Sequence, residues 1–364
     1  MKWLTGLSVV VLLVILFFGL RPKDFYFSNN VRWTHDQSGI RFSKYGIAYT
    51  DPIEELRKEN GFGENGLSVE IALRPLNNEE GFNLILTLHN GEDEDQLIVG
   101  QWRSWIIAMN GDDYDHKRRI KRVSVNSASR SPAIQFLTIT TGKEGTKAYI
   151  DGQLIRTEKD LTLHIPPGDN AILILGNSAY GRNSWGGDVY GLAFYRHILT
   201  AQDAALHYKK WSQDRNFSFA KNGKSFILYY FDEKEGTRVL DHAGGDHHLK
   251  IPSRMPILKK DFLSSPWKGF KFDKRGIEDI VWNLVGFIPL GFILAATFVK
   301  AGSKHSILIT VALCFTLSLF IEVIQAWLPS RSSSQMDLIC NTAGSVIGIF
   351  MAHWALKKEW IRFL

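Results

Sequence analysis

Four apolar runs, each of about 20 residues, constrain this chain more than any other feature. They cover residues 3–20, 280–299, 306–328 and 338–356, and Glu322 is their only Asp, Glu, Lys or Arg. A helix of roughly 20 apolar residues crosses the hydrocarbon of a bilayer and satisfies its own backbone hydrogen bonds there. We therefore predict four transmembrane helices. Buried helices of a soluble core are the alternative, but three long apolar runs joined by short loops fit a water-soluble fold poorly.

The first run predicts a membrane anchor that stays attached to the chain. It follows Lys2 directly, it is longer than the core of a usual signal peptide (about 7–15 residues), and no small-residue cleavage motif follows it. A cleaved signal peptide is the alternative. We therefore predict an anchor at residues 1–23, a large domain at 24–262 and a membrane domain with three helices at 263–364.

Lysine and arginine in short loops predict the orientation of the helices, because these residues are enriched on the cytoplasmic side. Lys2, the loop with Lys300 and Lys304, and the tail with Lys357 share one side of a four-helix arrangement. The other short loop holds only Arg331. Basic residues also flank the large domain, but long domains translocate largely regardless of charge. We therefore expect a multi-pass protein of the bacterial inner (cytoplasmic) membrane with the large domain outside the cytoplasm.

Charge and cysteine content narrow the range of partners. The formal net charge of +6 suits an anionic surface such as lipid head groups, and the sequence has no helix-turn-helix, zinc-finger or RNA-binding pattern. We therefore expect the lipid bilayer as a partner and no nucleic acid. Cys314 and Cys340 both lie in apolar runs, and two cysteines cannot form a disulfide framework or a zinc site.

The large domain has the pattern of an antiparallel β-sandwich. Short runs with alternating apolar residues lie between turn residues, and they cover 67–75, 82–88, 135–141, 147–155 and 171–176. Asp151 and Gly152 predict a hairpin turn, and residues 201–211 predict one helix with Thr200 as its cap. The predicted fold is multidomain, with an all-β antiparallel sandwich and an α-helical transmembrane bundle of four helices.

Three segments of the large domain resemble laminin-G-like or concanavalin A-like sandwiches, which have a jelly-roll fold. They are YIDGQLI at 149–155, LILGN at 173–177 and WGGDVYGLAFYRHILTAQDAALHY at 185–208. Residues 229–251 resemble the opening strands of that family but follow the domain, so either the sandwich closes with them or a truncated second copy begins. The resemblance implies binding of glycans or proteins, sometimes with calcium, although a fold does not fix a function. The E-x-D-x-x-E strand of related hydrolases is absent, so we expect no glycan hydrolysis.

Aromatic residues of the sandwich are candidates for stacking on sugars. These candidates are Trp102, Trp105, Tyr180 and Trp185. Packing in the core or on a sheet face is the alternative for most of them, because aromatic side chains dominate protein interiors.

Acidic and histidine clusters are weaker candidates. The acidic runs at 92–95 and 112–115 predict solvated loops, with calcium ligation as the alternative. His242, His247 and His248 lie beside Asp241 and Asp246 but match no strong ligand spacing. We therefore expect no metal site and no cofactor.

Polar residues in the last three apolar runs give the strongest indication of function, because such residues are costly in a bilayer and are usually functional or paired. Their spacing puts pairs on one helix face, and a rise of about 1.5 Å per residue puts all of them within roughly 10 Å of one end of the bundle. The set comprises Asp279, Asn283, Glu322, Gln325, Asp337 and Asn341, with Arg331 in a loop beside them. A hydrogen-bonded clamp and a functional site are both open interpretations.

Small residues predict that these helices pack closely. Gly344 and Gly348 form a small-xxx-small pair, and Gly286 shares a helix face with Asn283. Pro289 is expected to bend its helix, with neighbouring groups satisfying the freed carbonyl.

The same segment resembles the VanZ-like family. The matching pattern is N-x-x-G-F-x-P-L-G at 283–291 and E-x-x-Q at 322–325, followed by Arg331, Asp337, Asn341, Gly344 and Gly348. The resemblance implies a small membrane protein with several helices, and the member that names the family is linked to low-level resistance to the antibiotic teicoplanin. It supplies no established chemistry. The long sandwich after the first helix departs from the family pattern, so the antibiotic phenotype is not carried over to this chain.

Three functions are consistent with these features. The first is a membrane protein whose extracytoplasmic sandwich binds a glycan or another surface ligand without hydrolysing it. The second is a membrane enzyme or transporter for a lipid-linked envelope substrate, in which Glu322 or Asp337 exchanges protons and Arg331 holds an anionic group. The third is a structural anchor for a protein partner.

Overall fold

The computed structural model describes residues 2–20, 27–53, 66–76, 81–127, 133–168, 170–222, 224–260, 262–265, 274–328, 331 and 333–358. The chain forms two compact units. One unit is Phe27–Lys259, and the other combines Met1–Tyr26 with Lys260–Leu364. We call them the sandwich and the membrane unit.

The sandwich consists of two antiparallel sheets, which confirms the predicted fold class. One sheet contains β1 (Val31–Trp33), β2 (Ile40–Phe42), β4 (Leu67–Pro75), β9 (Gln135–Gly142), β10 (Gly145–Ile150), β11 (Gln153–Glu158), β13 (Gly187–Tyr195) and β14 (Ser225–Tyr229). The other contains β3 (Ala48–Tyr49), β5 (Phe82–His89), β6 (Leu97–Trp102), β7 (Trp105–Asn110), β8 (Val123–Asn126), β12 (Ile172–Leu175), β15 (Arg238–Val239) and β16 (Leu249–Lys250). The strand orders are β1-β2-β13-β4-β9-β10-β11, with β14 also paired to β13, and β15-β16-β3-β12-β5-β6-β7-β8.

Local sequence explains several of these elements. Asp151 and Gly152 both have positive φ, as the tight turn between β10 and β11 requires. Helix α2 (Ala201–Asp214) begins with a capping box, in which the Thr200 hydroxyl accepts from the Asp203 N–H and the Asp203 carboxylate accepts from the Thr200 N–H. A short helix, α3 (Ser218–Asn222), follows it.

Residues 229–251 close the sandwich and do not begin a second copy. Strand β14 ends at Tyr229 and pairs with β13, whereas β16 pairs with β3 in the other sheet. The two ends of the sandwich also lie side by side, because Ser28 and Arg254 form a β-bridge and the Met255 N–H donates to the Phe27 carbonyl at 2.9 Å. Adjacent termini are typical of a domain inserted into a host chain.

Among its described residues, the membrane unit contains four helices that are long and apolar enough to cross a bilayer. They are α1 (Lys2–Leu20), α4 (Lys274–Lys300), α5 (Ser306–Trp327) and α6 (Gln335–Lys357). Large apolar side chains such as Phe17, Leu308 and Phe350 are exposed on their surfaces. In a bilayer these side chains contact lipid, so the unit is a membrane bundle.

Exposed tryptophans mark both ends of the bundle. Trp282 and Trp327 lie near the start of α4 and the end of α5, whereas Trp3 and Trp354 lie near the start of α1 and the end of α6. Tryptophan is enriched at both membrane–water interfaces, where its ring fits between apolar and wet layers. The positions of these four residues are therefore those expected of interfacial aromatic side chains.

Helices α4 and α6 approach each other at glycines. A Cβ atom on Gly344 would lie 2.0 Å from the Leu284 carbonyl oxygen, and one on Gly348 would lie 2.2 Å from the Ile288 carbonyl oxygen. On α4 the close approach is at Gly291, whose Cβ would lie 2.2 Å from the Ser345 carbonyl oxygen. Only glycine lets backbones approach this closely.

The structure corrects one predicted packing residue. Gly286 is exposed, and a Cβ there would meet nothing within 4 Å, so it does not contribute to the contact. Asn283 contacts α6 through its bond to Asp337, but the shared helix face does not bring Gly286 into the contact. Pro289 is also exposed, and α4 continues through it as one helix.

Candidate functional site

Polar residues gather at the end of the membrane unit where α4 and α6 begin and α5 ends. We call this set the polar rim: Asp279, Asn283, Glu322, Gln325, Arg331, Asp337 and Asn341. The Asn283 amide donates to Asp337 Oδ1 at 2.8 Å and so joins α4 to α6. Charged neighbours of the Asp337 carboxylate are Asp279, which is exposed, and Arg331. Asp337 in turn lies within electrostatic range of Glu322.

Glu322 holds the connection between α5 and α6. Its side chain is 1% exposed, and its Oε2 accepts from the Ser334 N–H at 2.8 Å, where Ser334 is the N-cap of α6. The Ser333 hydroxyl also donates to Glu322 and accepts from the Leu263 N–H at 3.2 Å. A parallel β-bridge between Ser264 and Ser334 adds a further connection to this loop. The Glu322 carboxylate thus accepts hydrogen bonds from residues of the loop, and no described Lys or Arg donates to it.

The remaining rim residues join the other helices. The Gln325 amide donates to the Gly19 carbonyl at 2.7 Å, which ties α5 to α1. The Asn341 amide donates to the Ser318 hydroxyl at 2.9 Å, which ties α6 to α5. Arg331 is exposed, and its guanidinium makes a long contact of 3.4 Å with the Phe18 carbonyl. Through these bonds the polar rim connects α1, α4, α5 and α6, and within the described part of the chain the Arg331 guanidinium donates only to the Phe18 carbonyl.

The sequence predicts that the rim residues lie at one end of the bundle, but it does not predict which residues they contact. Ser318, Ser333 and Ser334 are the acceptors and donors that pair with Asn341 and Glu322. Serine is common in helices and loops, so its presence alone is no indication of a site. Only the capping position of Ser334 before an acidic first turn could have been recognised from sequence.

Trp102 and Trp105 form the exposed aromatic pair of the sandwich. They lie opposite each other in the β6–β7 hairpin and are 41% and 37% exposed. Residues directly opposite on antiparallel strands point to the same face, so the two rings share one surface. The Arg103 guanidinium lies 4.9 Å from the Trp102 ring centroid. Exposed aromatic faces beside polar groups are suited to stacking on the apolar faces of sugars.

The other two aromatic candidates have structural contacts. Trp185 is 1% exposed in the core between the sheets, and its indole N–H donates to Gln101 at 2.6 Å. Tyr180 is half-buried, and its hydroxyl donates to the Asp93 carboxylate at 2.8 Å. Trp185 therefore cannot contact a ligand without unfolding the core, and Tyr180 is committed to Asp93.

The acidic runs are not simply solvated, so that prediction was wrong for two of their residues. Asp93 is buried against His89, Tyr180 and Lys259, and these donors outweigh desolvation and hold its pKa below the ordinary value. Asp113 is buried too, and although burial acts to raise its pKa, the N–H groups of Arg118 and Ile120 outweigh it and keep the pKa low. Their oxygens thus accept hydrogen bonds from protein donors.

Two of the three histidines that the sequence singled out, His247 and His248, have protein contacts. His248 Nε2 lies 3.0 Å from Asp246, and its Nδ1 accepts from the Asp241 N–H at 2.8 Å. The His247 carbonyl accepts from the Tyr229 hydroxyl. Asp241, Asp246, His247 and His248 therefore serve the closing strands of the sandwich.

Comparison with known families agrees with both units. The family described as VanZ/LLP1 matches residues 229–356, a span that begins at the last residue of β14 and ends in the last turn of α6. The family described as the concanavalin A-like lectin/glucanases superfamily matches residues 53–205. No curated protein matches the chain.

Solved structures show only distant likeness. The receptor binding domain of botulinum neurotoxin D is 17% identical with a TM-score of 0.40, over 52% of this chain and 48% of that one. The receptor binding domain of the botulinum neurotoxin C/D mosaic serotype is 16% identical with a TM-score of 0.40, over 52% of this chain and 46% of that one. The chain thus spans about half the length of these structures, and they carry no functional argument. By its two family matches and its two folded units, the chain joins a concanavalin A-like, laminin-G-like sandwich to a VanZ-like membrane domain.

Proposed function

We propose that this is a bacterial inner-membrane protein whose extracytoplasmic sandwich binds an envelope glycan or another surface ligand through Trp102 and Trp105, without hydrolysing it. The observation that carries the proposal is the exposed tryptophan pair on one face of the β6–β7 hairpin. Stacking of a sugar ring on an exposed tryptophan removes apolar surface from water, and two tryptophans on one face offer more such surface than one.

Binding without hydrolysis fits the chemistry of this surface. Glycosidases place two carboxyl groups about 5–10 Å apart across one sugar. The strands that carry Trp102 and Trp105, with sequences LIVGQW and WIIAMN, contain no Asp or Glu. The buried acids Asp93 and Asp113 are already held by protein donors. The tryptophan surface is therefore suited to recognition.

Binding of envelope polymers by the purified full chain in detergent tests the proposal. Immobilised peptidoglycan, teichoic acid and lipopolysaccharide serve as probes. Trp102→Ala and Trp105→Ala should each weaken binding about tenfold or more, because truncation of an aromatic hot-spot residue costs about 2 kcal/mol or more, and about 1.4 kcal/mol corresponds to tenfold. Leu154→Ala is the matched control, since Leu154 is 52% exposed on β11 in the other sheet. Absence of binding by the parent chain, or equal loss in the control, would refute the proposal.

A second function is favoured by the environment of Glu322. A buried carboxylate in a membrane helix without a described cationic partner is a functional candidate, and the exposed Arg331 lies in the connection that follows α5. In this second proposal the polar rim receives a lipid-linked anionic substrate. Arg331 holds its phosphate by charge-assisted hydrogen bonds, and Glu322 or Asp337 exchanges a proton.

Binding of a polyprenyl phosphate to the full chain in nanodiscs distinguishes this second proposal from the clamp interpretation. Arg331→Gln should weaken binding while leaving thermal stability unchanged, whereas Lys304→Gln, exposed in the α4–α5 loop, should alter neither. The clamp interpretation predicts instead that the rim residues stabilise the bundle and do not bind lipid. Under it Glu322→Ala lowers stability and no rim substitution changes lipid binding, and that pattern would refute a substrate site.

A further inference from the structure

Two loops at the closing end of the sandwich bring three potential metal ligands together. Asp232 and Glu233 follow β14, and His242 follows β15. One ligand atom from each residue lies within 4.8 Å of the other two. His242 Nε2 and Asp232 Oδ1 are 3.7 Å apart, which is too long for a hydrogen bond. The sequence did not single out this trio, because the residues are ten positions apart with no recognised ligand motif.

Backbone and ring contacts hold two of the three side chains in place. The Oε1 atom of Glu233 accepts from the Leu240 N–H at 2.5 Å, which leaves Oε2 as the unused oxygen. The His242 N–H donates to the Leu228 carbonyl at 2.8 Å, and its ring stacks on Tyr230 with centroids 4.1 Å apart. The Glu233 carboxylate and the His242 ring are thus fixed before any ligand arrives, whereas Asp232 is exposed and free to adjust.

The fixed side chains carry an unpaired polar atom each. Glu233 Oε2 and His242 Nε2 are shielded from solvent, and neither has a hydrogen-bond partner among the described residues. A shielded polar atom without a partner is costly, so each such atom calls for an explanation such as an ion. Two of them in one trio of ligand-type side chains point to a common occupant.

We propose that Asp232, Glu233 and His242 bind a divalent transition metal of the zinc type. Zinc takes imidazole nitrogen at about 2.0–2.1 Å and carboxylate oxygen at about 2.0–2.2 Å, so tetrahedral ligand atoms lie roughly 3.4 Å apart. The 3.7 Å between His242 Nε2 and Asp232 Oδ1 needs little adjustment to reach that spacing. A nitrogen ligand disfavours calcium and magnesium, which prefer oxygen alone.

The bound ion connects two loops of the sandwich, and its coordination shell has one position that no protein residue fills. It joins the loop after β14 to the loop after β15, which are the two segments that close the sandwich. Three protein ligands leave the fourth tetrahedral position for water, and the exposure of Asp232 makes that position accessible. The neighbouring His248 and Asp246 are excluded from the site because they pair with each other.

Zinc titration of the untagged full chain in detergent, after treatment with a chelator, tests the proposal. We expect one Zn²⁺ per chain by calorimetry and elemental analysis, and a Co²⁺ complex with visible absorption bands. Asp232→Asn and His242→Gln should each weaken Zn²⁺ binding at least tenfold, since loss even of residues that only orient a ligand typically costs 10–100-fold. The matched control is Asp246→Asn, which should bind like the parent chain.

Each result of the zinc titration either supports or overturns the proposed site. Asp232 is half-exposed, so Asp232→Asn is expected to fold, and circular dichroism checks both variants. Absence of stoichiometric Zn²⁺ in the parent chain overturns the site. Equal affinity in the parent, Asp232→Asn and His242→Gln chains overturns it as well, as does a loss confined to Asp246→Asn. Because none of these measurements uses a glycan, the result is independent of the proposed ligand binding.

Discussion

At the scale of single residues, the sandwich depends on charges buried beside its strands. Asp188 of β13 is fully buried, and its carboxylate accepts from Arg41 of β2 at 2.6 Å and from Arg74 of β4 at 2.5 Å. Burial acts to raise the pKa of Asp188, but the hydrogen bonds from the two arginines outweigh it and hold the pKa below its usual value. The three strands are therefore joined by side chains as well as by backbone bonds.

We predict that Asp188→Asn destabilises the sandwich by about 2–3 kcal/mol at neutral pH, because it removes the buried negative charge that accepts from the partly exposed guanidinium groups of Arg41 and Arg74. A carboxylate whose pKa is lowered by folding stabilises the fold above its unfolded pKa near 4, and this contribution is lost as the pH falls below that value. The difference from the parent chain should therefore shrink below about pH 4. Tryptophan fluorescence during thermal unfolding measures this difference in stability between the variant and the parent chain. Glu144→Gln is the control, because Glu144 is exposed. A constant difference across this pH range would contradict the assignment.

At the scale of elements, the close contact of α4 and α6 rests on glycine. Leu284 and Ile288 carbonyl oxygens occupy the space in which Cβ atoms of residues 344 and 348 would lie. Backbone atoms cannot rotate away as a side chain can, so any larger residue must separate the helices. Separation would also strain the bond between Asn283 and Asp337, which spans the same two helices.

We predict that Gly344→Ala and Gly348→Ala each destabilise the bundle by about 1–3 kcal/mol, the usual cost of forcing an extra methyl group into a packed interior. Gly286→Ala is the matched control, because its Cβ meets nothing within 4 Å and alanine favours a helix by about 1 kcal/mol over glycine. Thermal denaturation of the purified full chain in detergent measures the difference. Equal stability of the three variants would show that α4 and α6 do not pack through these glycines.

At the scale of the whole molecule, the sandwich is an insertion between the first and second membrane helices. The chain enters it at Phe27 and leaves it at Lys259, and the bridge between Ser28 and Arg254 keeps these ends adjacent. Within the membrane unit, the bond between Gln325 and Gly19 shows that α1 and α5 end on the same side. Four helices in alternating directions are consistent with that contact.

We predict that the sandwich and the polar rim face away from the cytoplasm. Lys300, Lys304 and Lys357 lie at the other end of the bundle, and positive residues in short segments favour the cytoplasm. A membrane-impermeant maleimide should label Glu144→Cys in intact cells and Lys304→Cys only after permeabilisation. Both positions are exposed, and the native Cys314 and Cys340 are buried. Labelling in the reverse order would invert the assigned topology.

Long apolar runs, alternating strands and turn residues determined the architecture from sequence, because these patterns depend on local periodicity and on the thickness of a bilayer. The same holds for the capped helix after Thr200 and for the end of the bundle at which the polar residues gather. Tertiary structure alone decided which residues meet. It placed Trp185 in the core and Trp102 on the surface, it put Gly291 in the role expected of Gly286, and it brought His242 to Glu233. These outcomes depend on contacts between strands and helices that are distant in sequence, and no local pattern encodes the partner of a side chain.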